Sequence, residues 1–407
     1  MTTHAIHLHG THREPRRASS ALSGAFHFAT AHYLLLPIGA AVALVWANLS
    51  PEGYFRFAHA AAFPVNEIAM VFFFGLLAQE LFEEVMPGGA LHHWRRWPVP
   101  VLAAFGGLLG SVAIYNAWVS WTWVPVLEAG WPALAGVDLA FAYFVSMAIF
   151  HRHPAVSFLL LLAVTSNILG FIAIAPTYLF DEVRTGGTAV LMAAAIGLAA
   201  WLKRKRVRAF WPYVFVCGGM AWLALYLESF HPALALVPIV PFMPHTRRKL
   251  GELFADDDDP GAQTPRHFEH VWHYQVQVAL LLFGLVNAGV MLSGYGEGTW
   301  ATLAASIAGR TLGIMVTVAV SVGLGLHLPG HLRWRDVTVV AFAASIGFTF
   351  TLFFATALYP AGPVLAELKL GALMTIVGVV LAFGAARLLH VGRFHHGNHA
   401  APAHHRR

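Results

Sequence analysis

The sequence predicts an all-α membrane protein whose chain crosses a bilayer in about twelve helices. Three observations carry this. First, 58% of the 407 residues are hydrophobic and only 11% are charged, whereas a soluble domain carries about a quarter charged residues. Second, the apolar residues gather into runs near the length that spans a hydrocarbon core, roughly 20 residues. Third, the basic residues alternate from one inter-run segment to the next.

The runs lie at 31–48, 65–82, 98–118, 131–150, 155–180, 186–202, 210–227, 230–244, 274–293, 300–326, 337–359 and 366–390. The run at 230–244 is short and interrupted by Pro238 and Pro241. With twelve crossings both termini share one side. That side receives Arg13, Arg16, Arg17, Arg95, Arg96, Arg152, the cluster from Lys203 to Arg208, Arg247 to Lys249, Arg266, Arg333, Arg335 and the C-terminal arginines, 21 of the 25 basic residues. The other side receives Arg56, Arg184 and Lys369, and Arg310 falls inside a run. The positive-inside rule then places both termini in the cytoplasm.

The expected division is a cytoplasmic His/Arg-rich tail over 1–30, a transmembrane domain over 31–390 with a cytoplasmic loop at 245–272, and a cytoplasmic His-rich tail over 391–407. No segment outside the runs is large enough for a soluble enzyme domain, so function is expected within the membrane. The basic clusters sit between apolar runs, which points to topology and not to nucleic acid. Histidines of the tails, such as His4, His7 and His395, could sense pH or bind metal. A solvated tail is the plainer reading, and no metal or cofactor is expected.

Ionisable groups inside an apolar run are costly, and each is a functional candidate. Asp138 follows Gly136 in WPALAGVDLAFAYF, and Arg310 lies in ASIAGRTLGIM. Both could point into one polar cavity, or they could only neutralise each other or helix ends. Glu80 stands near the end of the second run, with Glu84 at its boundary. Thr165, Ser166 and Asn167 form a polar patch in the middle of the fifth run, which could equally be a helix–helix contact. In AASIGFTFTL, Gly347 and Thr349 flank Phe348, and a mid-run glycine can mark an unwound stretch.

Six segments, in order, resemble the NhaA family of sodium/proton antiporters. They are VNEIAMVFFFGLLAQELFEE, GVDLAFAYF, SFHPALA, LFGLVNAGV, SIAGRTLGIM and SIGFTFTLFFA. The likeness covers residues 30–390 or so. It implies an inverted-repeat fold in which broken helices 4 and 11 meet near the midplane, around Gly136, Gly347 and Thr349. It implies that Asp138 and Arg310 compensate the half-helix ends, and that Glu80, Glu84 and His231 belong to a cytoplasmic funnel and a pH response. It also implies an inner-membrane location, a homodimer, and Na⁺, Li⁺ or H⁺ as the ions handled.

One departure matters. The family's fifth helix carries two adjacent aspartates, where a cation and a proton compete. Here an ungapped match puts Ser166 and Asn167 at those positions, and a one-residue shift puts Asn167 and Ile168 there. Neither register restores an acid. The family's tenth-helix lysine is also replaced, by Arg310, whose guanidinium does not release its proton. Three readings follow: a monovalent cation/proton antiporter with an altered ion site, a transport-inactive scaffold or subunit of a membrane complex, and an anion or neutral-solute pathway around Arg310.

Overall fold

Every regular element among the described residues is helical. The computed structural model describes residues 35–85, 98–151, 153–179, 186–227, 231–243, 267–328 and 332–394. The tails at 1–30 and beyond 394, and most of the expected 245–272 loop, lie outside them.

Among the described residues, seven helices are long and apolar enough to cross a membrane: Pro51–Gln79, Pro98–Thr122, Pro154–Ala173, Gly187–Arg204, Glu297–Gly323, Trp334–Leu358 and Pro363–Phe394. Shorter apolar helices are Leu35–Leu49, Phe141–Phe150, Pro212–Leu227 and Gln275–Asn287. Proline opens several of them, at Pro51, Pro98, Pro154 and Pro363. Its missing N–H costs nothing at a helix start, where that donor has no intrahelical partner.

The most apolar stretch of Trp334–Leu358 is 89% buried by other protein groups and that of Pro154–Ala173 is 72%, against 17% for Gly187–Arg204. The first two are therefore inner helices, and the last presents its sides to lipid. Thr165, Ser166 and Asn167 ride on Pro154–Ala173, and Gly347 and Thr349 on Trp334–Leu358.

Two inner elements are interrupted in mid-course. A 3-10 segment, Pro125–Leu134, gives way at residues 135–138 before the helix Leu139–Phe150 begins. Pro132 removes one ladder donor there, and Asp138 is a strong N-cap residue. The helix Trp334–Ala344 likewise stops, and Phe348–Leu358 restarts after Ser345, Ile346 and Gly347. The two interruptions touch, because Asp138 N donates to Ile346 O at 2.8 Å. A Cβ at Gly136 would overlap the Phe350 ring. Only glycine lets the two segments come this close.

Three boundaries differ from expectation. The run at 230–244 is not an α-helix: residues 231–243 form two 3-10 turns, Pro232–Leu234 and Val240–Phe242, joined by further turns. Pro232, Pro238 and Pro241 remove the donors a helix would need. The stretch is still apolar and buried through Leu236, Ile239 and Val240. Before the second run stands a helix the hydropathy hides, Pro51–Phe63, which carries Glu52, Arg56 and His59 and passes through a π-helical turn, Pro64–Ala69, into Met70–Val85. The helix expected from 274 begins at His267.

Arg310 is placed by a glycine crossing. Helix Pro98–Thr122 lays Gly106 and Gly110 against Gly309 and Gly313, so that a Cβ on Gly110 would stand 2.8 Å from Gly313 Cα, and one on Gly309 2.9 Å from Ser111 Cα. Small residues four apart let membrane helices approach this closely. Gly313→Leu is therefore expected to cost about 3 kcal/mol or more, since a side chain there meets the Gly106 carbonyl and backbone cannot yield as a side chain can. Gly197→Ala, where a Cβ meets nothing within 4 Å inside the helix Gly186–Arg204, should keep or slightly raise the melting temperature of the detergent-solubilised protein. Equal melting of the two variants would refute the crossing.

Candidate functional site

The site is built where the two interruptions meet. Asp138 ends the first with φ −74° and ψ 101°, which turns its side chain back over the helix it caps. One carboxylate oxygen, Oδ1, accepts from Phe141 N at 3.2 Å. The other, Oδ2, accepts from Thr349 N at 3.2 Å and from the Thr349 hydroxyl. Phe141 N belongs to the first turn of Leu139–Phe150 and Thr349 N to the first turn of Phe348–Leu358. A single carboxylate, 5% exposed, thus caps two helix N-termini at once. Each such terminus carries a partial positive charge, so the anion is held by both.

Arg310 answers the opposite sign. It is 2% exposed. Its Nη1 donates to Gly136 O at 2.7 Å and its Nη2 to Leu134 O. Leu134 ends the 3-10 segment, so its carbonyl lies at the negative end of that half-helix. The guanidinium is therefore bound by backbone carbonyls of the broken segment. The two charges stand at different ends of the broken chain, each against backbone of the opposite polarity. Of the three guanidinium nitrogens only Nε lacks a hydrogen-bond partner among the described residues.

The fifth-run patch faces the same break. Asn167 is fully buried, and its Oδ1 accepts from Val137 N at 2.8 Å. Its Nδ2 has no partner among the described residues. Thr165 turns its hydroxyl back on Leu161 O at 2.8 Å, within its own helix. Ser166 is buried beside them. The structure thus brings Gly136, Asp138, Asn167, Arg310, Gly347 and Thr349 together. It does not bring His231 to them.

His231 lies at the entry to the turn Pro232–Leu234, with Nδ1 3.1 Å from Glu67 Oε2 and its ring centroid 4.7 Å from that of Phe353. The side chains of Glu80 and Glu84 fall outside the described residues. Glu67 is the residue that sequence reasoning misses. It sits in the π-helical turn, its backbone carbonyl accepts from Trp222 Nε1 at 2.7 Å, and it is the partner of His231. The signal was a carboxylate third in the apolar run at 65–82. Two tyrosines are also missed. Tyr115 and Tyr359 donate to the neighbouring carbonyls of Leu127 and Val126, each at 2.9 Å, and pin the outer 3-10 segment. Their signal is weak, because tyrosine in an apolar run reads as packing.

Two discontinuous helices crossing with an acid and a base at their ends define a polytopic membrane protein of the secondary-transporter build. The family described as "Na+/H+ antiporter 1" matches residues 25–388. A Pelobacter propionicus protein named Na(+)/H(+) antiporter NhaA 1 is 38% identical over 364 residues, covering 87% of this chain and 95% of the relative. Proteins named Na(+)/H(+) antiporter NhaA from Desulfitobacterium hafniense, at 37%, and Geobacter sulfurreducens, at 38%, are similar over 87% of this chain and 93% and 95% of their own lengths. This chain belongs to the Na+/H+ antiporter 1 family.

Proposed function

We propose that this chain exchanges a monovalent cation, Na⁺ or Li⁺, for protons across the bacterial inner membrane, with Asp138 as the group for which both compete. The observation that supports this is the position of the Asp138 carboxylate: buried, at the contact of both interrupted helices, and the one carboxylate that the described residues bring there. A hard cation needs oxygen ligands and a negative charge to offset its lost hydration. The carboxylate supplies the charge, and the Thr349 hydroxyl against it supplies a further oxygen. The alternation of basic residues supports cytoplasmic termini. Glu80, Glu84 and His231 would lie on the cytoplasmic approach, with His231 against Glu67.

One carboxylate exchanges one charge for one charge. The transport is therefore expected to be electroneutral. In proteoliposomes carrying a pH dye, proton flux driven by a Na⁺ gradient should keep its rate when a K⁺ diffusion potential is imposed with valinomycin. Ser166→Asp combined with Asn167→Asp adds carboxylates at the neutral patch and should make the flux respond to that potential. A potential-dependent rate in the unaltered protein would refute the single-site exchange.

A transport-inactive scaffold is the second reading, and one observation favours it. Asn167 Oδ1 is committed to a backbone amide, so the patch corresponding to the family's acid pair is neutral and partly occupied with structure. It predicts no cation-driven proton flux from the same proteoliposomes and a co-purifying membrane partner. The anion or neutral-solute reading has less support, because both terminal nitrogens of Arg310 are already engaged by carbonyls.

A further inference from the structure

We propose that Asn167 is a positioning residue that acts together with Arg310 on a single peptide group, and that this grip sets the orientation of the Asp138 carboxylate. The inference rests on the reading of Asp138 as the exchange group. Its ground is geometric. Arg310 Nη1 takes the carbonyl of Gly136, and Asn167 Oδ1 takes the N–H of Val137. These two atoms belong to the same planar amide, and in a trans peptide they point to opposite sides of it. One peptide unit is thus held at both poles, from two helices that are otherwise separate in sequence. The next N–H, that of Asp138, is held by Ile346 O.

Residues 136–138 lie between the 3-10 segment and the following helix. The Asp138 carbonyl opens that helix's ladder by accepting from Ala142 N, but the Gly136 carbonyl and the N–H groups of Val137 and Asp138 depend on side chains and on the other break for partners. Val137 is fully buried. Without Asn167 its N–H would be an unsatisfied donor in a place water does not reach, and the peptide could rotate to seek another acceptor. Rotation of that plane changes ψ of Gly136 and φ of Val137, immediately before the residue whose carboxylate caps both helices.

Position 167 needs an acceptor here, and the charge is a separate matter. Asparagine provides the acceptor, and its second atom, Nδ2, is left buried with no partner among the described residues. An amide chosen for two-sided hydrogen bonding would not be left half satisfied. The arrangement fits a residue retained for its oxygen alone. The substitution that removes the acid therefore keeps the strut.

Acceptor and charge can be separated experimentally. Asn167→Asp keeps an oxygen against Val137 N, Asn167→Leu keeps the approximate volume without any acceptor, and Asn167→Ser has a hydroxyl too short to reach. With the full chain in detergent, hydrogen exchange read across residues 134–141 should be at least about tenfold faster in Asn167→Leu, matching the loss of one buried hydrogen bond near 1.4 kcal/mol. It should be unchanged in Asn167→Asp, and both should retain the protection of Pro98–Thr122. If the leucine variant does not fold, the serine variant carries the same expectation. In proteoliposomes the leucine or serine variant should raise the Na⁺ concentration for half-maximal flux at least about tenfold, and Asn167→Asp should restore it. Unchanged exchange at 134–141 without the acceptor, or an aspartate variant as fast as the leucine one, overturns the proposal. Absence of flux from the unaltered protein would refute Asp138 exchange, and the hydrogen-exchange comparison would still decide whether Asn167 holds the peptide.

Discussion

Asp138→Asn should abolish cation-driven proton flux, lowering it at least about 100-fold, while the protein still folds. The factor follows from what the carboxylate does. It accepts from two backbone amides and a hydroxyl, and each hydrogen bond to a charged acceptor contributes about 1.5–3 kcal/mol. The asparagine keeps one oxygen and turns an NH₂ toward either Phe141 N or Thr349 N, donor against donor. It also removes the negative charge that offsets the hydration a cation gives up. Losing about 3 kcal/mol of binding is about a 100-fold loss in affinity. Proteoliposomes with an internal pH dye, run under Na⁺, Li⁺ and K⁺ gradients, measure it directly. Retained Na⁺-driven flux in this variant would show that exchange does not pass through Asp138.

The second large effect is on stability. Arg310→Met should destabilise the protein by about 3–5 kcal/mol, the cost of breaking a buried charged contact and leaving its partners unsatisfied. The carbonyls of Leu134 and Gly136 lose their donors together, and the negative end of the 3-10 segment loses its counter-charge. Arg310→Lys should lie between, losing about 1–2 kcal/mol. An ammonium can approach one carbonyl, but it lacks the flat two-pronged head that reaches two. Melting of the purified variants in detergent, followed by loss of monodisperse protein, should give the order native, Lys, Met. A methionine variant as stable as the native protein would mean that the carbonyls find other donors.

The helical build was readable because it follows from elementary solvent physics. Long apolar runs and alternating basic residues need no tertiary information. Of the two interruptions, the residues pointed to the one at Gly347, a glycine in mid-run; the one before Leu139 came only from the family resemblance, although Pro132 and Asp138 there also disfavour an unbroken helix or favour a cap. What could not be read was which group meets which. Asp138 and Arg310 have opposite charge and fall in neighbouring parts of the fold, so pairing with each other is the simplest guess. Arg310 instead takes two backbone carbonyls, and Asp138 accepts from two backbone amides as well as from the Thr349 hydroxyl; backbone carries no sequence signature. Glu67 shows the reverse case, where the signal existed and hydropathy averaging concealed it. Pro51–Phe63 was hidden for the same reason, because Glu52, Arg56 and His59 lower its mean hydropathy below that of a span. The run at 230–244 was apolar enough for a helix, and its prolines decided otherwise.

The partners of the break also fix an order of events during synthesis. Arg310 follows the Gly136 carbonyl it binds by 174 residues, and Thr349 follows Asp138 by 211. When residues 125–150 enter the bilayer, the groups that will satisfy their open backbone do not yet exist. The nascent chain must hold the open carbonyls of Leu134 and Gly136, and an Asp138 carboxylate capped only by Phe141 N of its own helix, until the last third of the protein has emerged. A half-molecule ending before His267 would therefore insert without a finished centre and be open to quality-control proteolysis. Only co-expression of the remaining helices could complete it.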